Sequence, residues 1–274
     1  MSRRYSRLLG ALVAGLTVPQ RPWRRAATRL LVAERLLPHH MIATRHGPLS
    51  FITDHPEALQ FPRHLCDREP ETIEWIDGFE TPSAFWDIGA NVGAFALYAA
   101  LRPGVSVLAV EPSPASYAAL ARNIEANCRD TDVQALCVAF SDRTRLGSLN
   151  MSATHAGNSF NSFESTEDCF GRPLAVEFRQ AALGFAIDDF RRLFGLAAPN
   201  YLKLDVDGTE EEILEGAAAT LADPALRSVL VELEAADTPR NRRIAARLER
   251  AGFVLTGERG VRQRDVANAI FRRP

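Results

Sequence analysis

The chain has 274 residues, 46% of them hydrophobic and 24% charged, with a formal net charge of −2. This composition excludes a disordered chain, a collagen-like repeat and a coiled coil, and the length suits one domain of about 200–250 residues with an extension. Four scattered cysteines, none at CxxC spacing, speak against a disulfide scaffold or structural zinc and for a reducing, cytoplasmic setting.

The charge is uneven. Residues 1–37 hold eight arginines and one acid, Glu34, for a net +7, while the remainder carries −9. The near-neutral total gives no reason to expect a nucleic-acid partner. The run Leu8 to Val18 resembles a secretory h-region, but Pro19, Gln20, Arg21 and Pro22 follow where a small-residue cleavage site would stand. It is also too short to cross a membrane, which takes about 20 residues. Trp23, Ala27, Leu30 and Leu31 recur at helical spacing among arginines. Residues 1–40 are therefore expected to form a basic amphipathic extension. Residues 1–37 would either pack on the domain or lie peripherally on an anionic membrane.

Residues 41–80 read as a lead-in: a hairpin around His46-Gly47-Pro48, then a short helix over 70–79. From residue 81 a strand–helix alternation takes over. Strands are expected at 84–90, 105–113, 133–142, 201–208 and 228–234, with helices over 91–102, 116–128, 210–222 and 240–252. Two closing strands, 252–258 and 266–273, leave no room for a helix between them. Such alternation predicts an α/β fold, a mostly parallel sheet with helices on both faces and a C-terminal antiparallel hairpin. Residues 143–198 exceed a plain connection and read as an insertion, with strands expected at 146–152 and 174–183. Its Ser-, Asn- and Phe-rich stretch 153–170 is expected to be a disordered loop or an acceptor-binding lid.

Ligands of such sheets bind at the C-terminal strand ends. The first expected strand ends in Asp87-Ile88-Gly89-Ala90-Asn91-Val92-Gly93. Its glycines allow a tight turn, and Asn91 can take unusual backbone angles or cap the next helix. Neither phosphate-binding glycine pattern is present. Asp87 would repel a phosphate and suits a cation. The next strand ends in Glu111, followed by Pro112, and an acid there accepts hydrogen bonds from a ribose diol. One acid for an amino-acid moiety and one for a ribose fit S-adenosylmethionine better than a nicotinamide cofactor. Ala90, within the turn, joins this set. Ser141 and Asp142 are expected to meet the adenine amino group.

FWDIGANVGAFALYAA, AVEPSPASYAALARNIEAN, YLKLDVDGTEEEILEGA and SVLVELE, in that order, resemble the FkbM family of S-adenosylmethionine-dependent methyltransferases. Glu69-Pro70-Glu71-Thr72 resembles the family's lead-in. The likeness spans roughly residues 69–274. Its family-specific part is Lys203-Leu204-Asp205-Val206-Asp207-Gly208 with Glu210 and Glu215-Gly216-Ala217. Asp207 stands where the family usually has Glu, one methylene shorter. The resemblance implies a class I, Rossmann-like seven-stranded sheet over 81–274. It also implies O-methylation of a hydroxyl on a sugar, glycan or secondary metabolite, a small-molecule acceptor.

Asp205, at the end of the fourth expected strand, would lie beside the donor methyl and orient or deprotonate the acceptor hydroxyl. His155 is the competing base, since an imidazole can take the proton that the hydroxyl must lose. No metal site is assigned. Asp205, Asp207, Glu232 and Glu234 could gather to hold a divalent cation, but the plainer expectation is that two of them face solvent or pair with arginine. A rival expectation is a catalytically inactive protein that keeps the donor pocket and docks to a membrane or enzyme complex.

Overall fold

The computed structural model describes residues 2–256, 260–261 and 266–274. Contacts divide the chain into residues 1–39 and residues 40–274.

The first unit is two helices, Ser2–Leu16 and Pro22–Arg35. Pro22 starts the second helix, where its missing N–H costs nothing and its fixed φ is already helical. Arginines of the second helix close the end of the first. Arg25 donates to the Thr17 and Val18 carbonyls at 3.2 and 2.5 Å, and Arg29 to Ala14 O at 3.4 Å. Cations there meet carbonyls left unpaired by the helix and the negative end of its dipole. Leu8, Leu12, Leu16, Trp23, Leu30 and Leu31 are each more than half exposed. No described helix is long and apolar enough to cross a membrane.

The second unit is built on one twisted sheet. Its strands are β1 (Ser83–Ile88), β2 (Val105–Val110), β3 (Val133–Leu136), β4 (Tyr201–Leu204), β5 (Ser228–Glu234), β6 (Val254–Leu255) and β7 (Val266–Arg272). They lie in the order β3-β2-β1-β4-β5-β7-β6. All pairings are parallel except those of β7, which runs antiparallel to β5 and β6. A two-residue strand, Gly260–Val261, also pairs with β7. Gly257 and Glu258, expected in the penultimate strand, lie outside the described residues.

Period-2 alternation splits the core in two. Phe85, Val107, Ala109 and Leu230 face one side, with Trp75, Leu97 and Tyr98. Trp86, Leu108, Val110 and Val229 face the other, with Ile187, Ile213 and Ile244. Helix Ala94–Ala100 is buried at every position, which explains its run of small and apolar residues.

Three expected strands differ. The stretch 133–142 breaks after Leu136. Ala139–Phe140 leaves the main sheet and pairs with Gly184–Phe185, where Phe140 packs edge-on to Phe190 at 5.3 Å. The fourth strand stops at Leu204, because the Glu210 carboxylate takes the next amides, Val206 N at 3.1 Å and Gly208 N at 3.3 Å. The late strand of the insertion is Phe178–Phe185, antiparallel to Arg145–Met151, and begins four residues after the expected Leu174.

Candidate active site

The ends of β1, β2 and β4 meet at one edge. The β4 register sets Lys203 directly beside Asp87. Gly89 follows β1 at φ 85°, and a Cβ there would stand 1.8 Å from the Asp205 carbonyl oxygen. Only glycine lets this turn close against the end of β4. Asn91 adopts φ 50°, the left-handed region anticipated for it. It does not cap the next helix: Gly93 holds the N-cap position of Ala94–Ala100, with no side-chain cap bond.

Beneath the edge lies a buried charge cluster. The Lys203 ammonium is 2.8 Å from Asp205 Oδ2 and 3.7 Å from Asp87 Oδ1, and sits 5.0 Å from the centre of the Phe95 ring. Burial works against its charge, but Asp205, Asp87 and Glu69 outweigh burial and hold its proton affinity above lysine's ordinary value. Asp87 is 0% exposed, and neither of its carboxylate oxygens has a hydrogen-bond partner. Burial pushes its carboxyl up, and the Lys203 charge only partly opposes this. Glu69, also fully buried, accepts from Thr72 Oγ1 and Asn268 Nδ2, each at 3.0 Å.

Glu111 is held differently. Its Oε2 accepts Asn91 N and its Oε1 accepts Ser113 N, both at 2.8 Å. Two backbone donors fix the plane of the carboxylate and leave each oxygen a further lone pair. Burial outweighs those bonds and pushes its carboxyl up to about 7.

Two cavities open at this edge. The smaller, about 310 Å³, is lined by Ala90, Asn91, Phe95, Glu111, Pro112 and Lys203 among others. The larger, about 900 Å³, is lined by Arg63, His64, Asp67, Cys169, Phe170 and Glu232 among others. Gln60, Phe61, Arg68, Ser159, Phe160, Asp205 and Asp207 line both. Asp205 therefore stands at the boundary between the two spaces.

The methyltransferase FkbM domain matches residues 87–255. The chain belongs to the FkbM methyltransferase family. A curated relative, methyltransferase sdnD of Sordaria araneosa, is 29% identical over 194 residues, covering 63% of this chain and 74% of the relative. The crystal structure of a methyltransferase FkbM from Methylobacillus flagellatus KT superposes with a TM-score of 0.50 at 13% identity, over 80% of this chain. This chain spans 48% of that one, so the likeness carries the fold alone.

Within this FkbM fold the anticipated residues separate. Gly89, Ala90, Asn91, Glu111, Pro112 and Asp205 line the smaller cavity. Asp87 does not; it was expected to meet a ligand's cationic group, but the structure buries it under the floor, where its charge acts through Lys203. Ser141 and Asp142 line neither cavity. Instead they follow Ala139–Phe140 into the second sheet, and Asp142 Oδ1 accepts from Arg145 Nη1 at 2.7 Å. Burial works against the Asp142 charge, but Arg145 and Ser141 outweigh it and hold the carboxyl below its ordinary value.

His155 also lines neither cavity; its ring lies on that of His55. Asp207, where the family usually has Glu, sits at φ 58° and accepts Phe160 N at 2.7 Å, tying the β4 end to the insertion. Among the described residues, the group whose potential ligand atoms all lie within 4.8 Å of one another is His55, Glu57 and His155, not Asp205, Asp207 and Glu232. Sequence reasoning missed Lys203 as a buried ammonium. The signal was present, since it is the chain's only lysine and stands in an apolar strand two residues before an acid.

Proposed function

We propose that this methyltransferase uses S-adenosylmethionine as donor in the smaller cavity and methylates a hydroxyl of a polar acceptor, a sugar, glycan or hydroxylated metabolite, in the larger one. The observation that carries the reading is Asp205, a carboxylate shared by both cavities and ion-paired to a buried ammonium. The residues fit such a donor. Glu111 keeps a lone pair on each oxygen for a ribose diol, and Asn91 offers a buried Oδ1 with no partner. When bound, the donor supplies an electrophilic methyl group on a cationic sulfur.

The chain's own residues do the rest. Glu111 fixes the sugar end of the donor. Lys203 ion-pairs with Asp205 at the boundary. Asp205 accepts the hydrogen of the acceptor hydroxyl and takes the proton as the oxygen is alkylated. Alignment of oxygen and methyl by such fixed groups accounts for much of the barrier lowering. The acceptor side mixes Gln60, Arg63, His64, Asp67 and Arg68 with Leu59, Phe61, Phe160 and Phe170, which suits a hydroxylated ligand that also has an apolar face. Thermal shifts with S-adenosylmethionine, S-adenosylhomocysteine and NAD test the donor, with stabilisation expected from the first two only. Transfer of labelled methyl to a panel of hydroxylated and amine acceptors tests the chemistry. Products on nitrogen alone would reject O-methylation.

We also infer that residues 1–37 rest on an anionic membrane surface, which the exposed leucines and the net +7 of the two helices support. The full chain should pellet with anionic vesicles, and a chain beginning at residue 41 should not. Equal pelleting of both rejects this reading.

A further inference from the structure

The loop after Met151 and the segment before helix Pro56–Arg63 meet at the outer end of the cleft. Here the rings of His55 and His155 stack with centroids 3.8 Å apart and planes 16° from parallel. His155 Nε2 stands 3.4 Å from Glu57 Oε2.

Hydrogen bonding settles where the ring protons lie. A carbonyl oxygen only accepts, so the 3.1 Å contact of His155 Nδ1 with Ala156 O puts the proton on Nδ1. A neutral His155 then turns a bare Nε2 lone pair toward a carboxylate, acceptor against acceptor. A cation placed between them would be held by both. His55 Nδ1 accepts Glu57 N at 3.3 Å, a long bond that yields at small cost.

We propose that His55, Glu57 and His155 form a binding site for one divalent transition-metal ion of the zinc or nickel class. Two imidazoles and a carboxylate are a donor set such ions favour, with water completing the coordination. Bonds of about 2.0–2.2 Å require the stacked rings to swing until their nitrogens converge. Partial exposure allows this: His155 is 27% and Glu57 52% exposed at the side chain.

The ion's role is structural. Neither histidine lines a cavity, but Glu57 lines the smaller one, and the loop and helix that carry the three residues supply its walls. Two residues beyond His155, Gly157 takes φ 79°, and a Cβ there would stand 2.3 Å from Ala58 Cα. Loop and helix thus already touch backbone to backbone. Ser159 and Phe160 follow on the loop, Gln60 and Phe61 on the helix, and all four line both cavities. An ion at the three ligands would clasp one wall to the other. Glu57 borders the cavity assigned to the donor, but metal binding is tested without donor, so either proposal can fail while the other stands.

The test uses the full chain, stripped with chelator and titrated with Zn²⁺ alone and Co²⁺ alone. One equivalent should bind, raise Tm and, with Co²⁺, give visible ligand-field bands. His55→Gln and His155→Gln should each keep the metal-free fold, lose those bands and weaken binding at least about tenfold, the lower bound seen even for outer-shell partners. On the unaltered chain, Zn²⁺ should shield His55 and His155, but not His64, from diethylpyrocarbonate. Absence of saturable binding, binding unchanged in both variants, or equal modification with and without Zn²⁺ would overturn the proposal.

Discussion

At the floor of the cleft, Asp87, Lys203 and Glu111 are each less than a tenth exposed, and each is set by the sheet: strand register for the first two, backbone amides for the third. At the walls, helix Pro56–Arg63 and the 152–170 loop present mostly exposed or half-exposed side chains, joined by a small buried cluster of Ala58 and Ala156, a ring stack, one close backbone approach and single side-chain bonds. The contrast separates two jobs. A floor of buried charge cannot move without leaving an uncompensated ion, so its geometry is the same whatever lies above it. Walls held by exposed contacts cost little to reshape, and they are where acceptor choice can vary.

The largest effect is expected where floor and cleft meet. Asp205→Asn keeps the shape and removes the charge, and methyl transfer should fall about 10²–10⁴-fold, the usual span for one acid–base group. The loss should persist at saturating donor, with S-adenosylhomocysteine affinity changed little. A variant that binds donor poorly but turns over normally when saturated would move Asp205 from the chemistry to donor binding.

Lys203→Met should cost about 3–5 kcal/mol of stability, the range for removing one partner of a buried ion pair. Burial already holds the Asp87 carboxyl above its ordinary value, so its ionisation costs stability as pH rises past the unfolded carboxylate range. Without Lys203 that cost grows, and acid relieves it. Urea unfolding should therefore show a smaller deficit at pH 5.5 than at pH 8, and Asp87→Asn should restore part of it. A deficit that does not change with pH would mean the loss is packing against Phe95 rather than charge.

The same contrast governs what could be read from the residues. The Asp87–Gly93 turn, Glu111 and Asp205 were legible because each is placed by its own strand, and strand ends follow from local alternation. The burial of Asp87 was not, since it depends on a lysine that arrives 116 positions later through register. The strand break before Ala139 was hidden for a like reason: the stretch 135–140 is evenly apolar, and only its late partner, Gly184–Phe185, decides where pairing ends. His155 looked like a candidate base because nothing near it in sequence announces His55, one hundred positions earlier. Local pattern places the strand ends; the charge cluster beneath them and the walls are products of distant meetings.

A pH experiment probes the floor from the donor side. The Glu111 carboxyl is pushed up to about 7 by burial. Its folded value thus exceeds the unfolded one, and ribose hydroxyls donate more strongly to the ionised form. Donor affinity should fall as pH drops through about 7, with proton release on binding near neutrality. Glu111→Gln should flatten this dependence in calorimetric titrations, and Glu111→Ala should cost about 1.5–3 kcal/mol, the value of hydrogen bonds to a charged group. Unchanged affinity in the alanine variant would place the donor elsewhere.

The smallest effect belongs to the walls. Arg63 lines the larger cavity only, on an exposed turn of its helix. A group that meets one end of an acceptor and never the reacting oxygen contributes equally to the ground and transition states, and so changes KM rather than kcat. Arg63→Ala should raise the acceptor KM roughly 2- to 12-fold, the equivalent of about 0.5–1.5 kcal/mol for one hydrogen bond. Donor affinity and the saturated rate should stay as they are. The decisive comparison is with a second acceptor that lacks the distal polar groups: it should show no difference between the parent and Arg63→Ala. If instead kcat falls for both acceptors, the wall is coupled to Asp205 through Phe160 and Asp207, and floor and wall act as one unit.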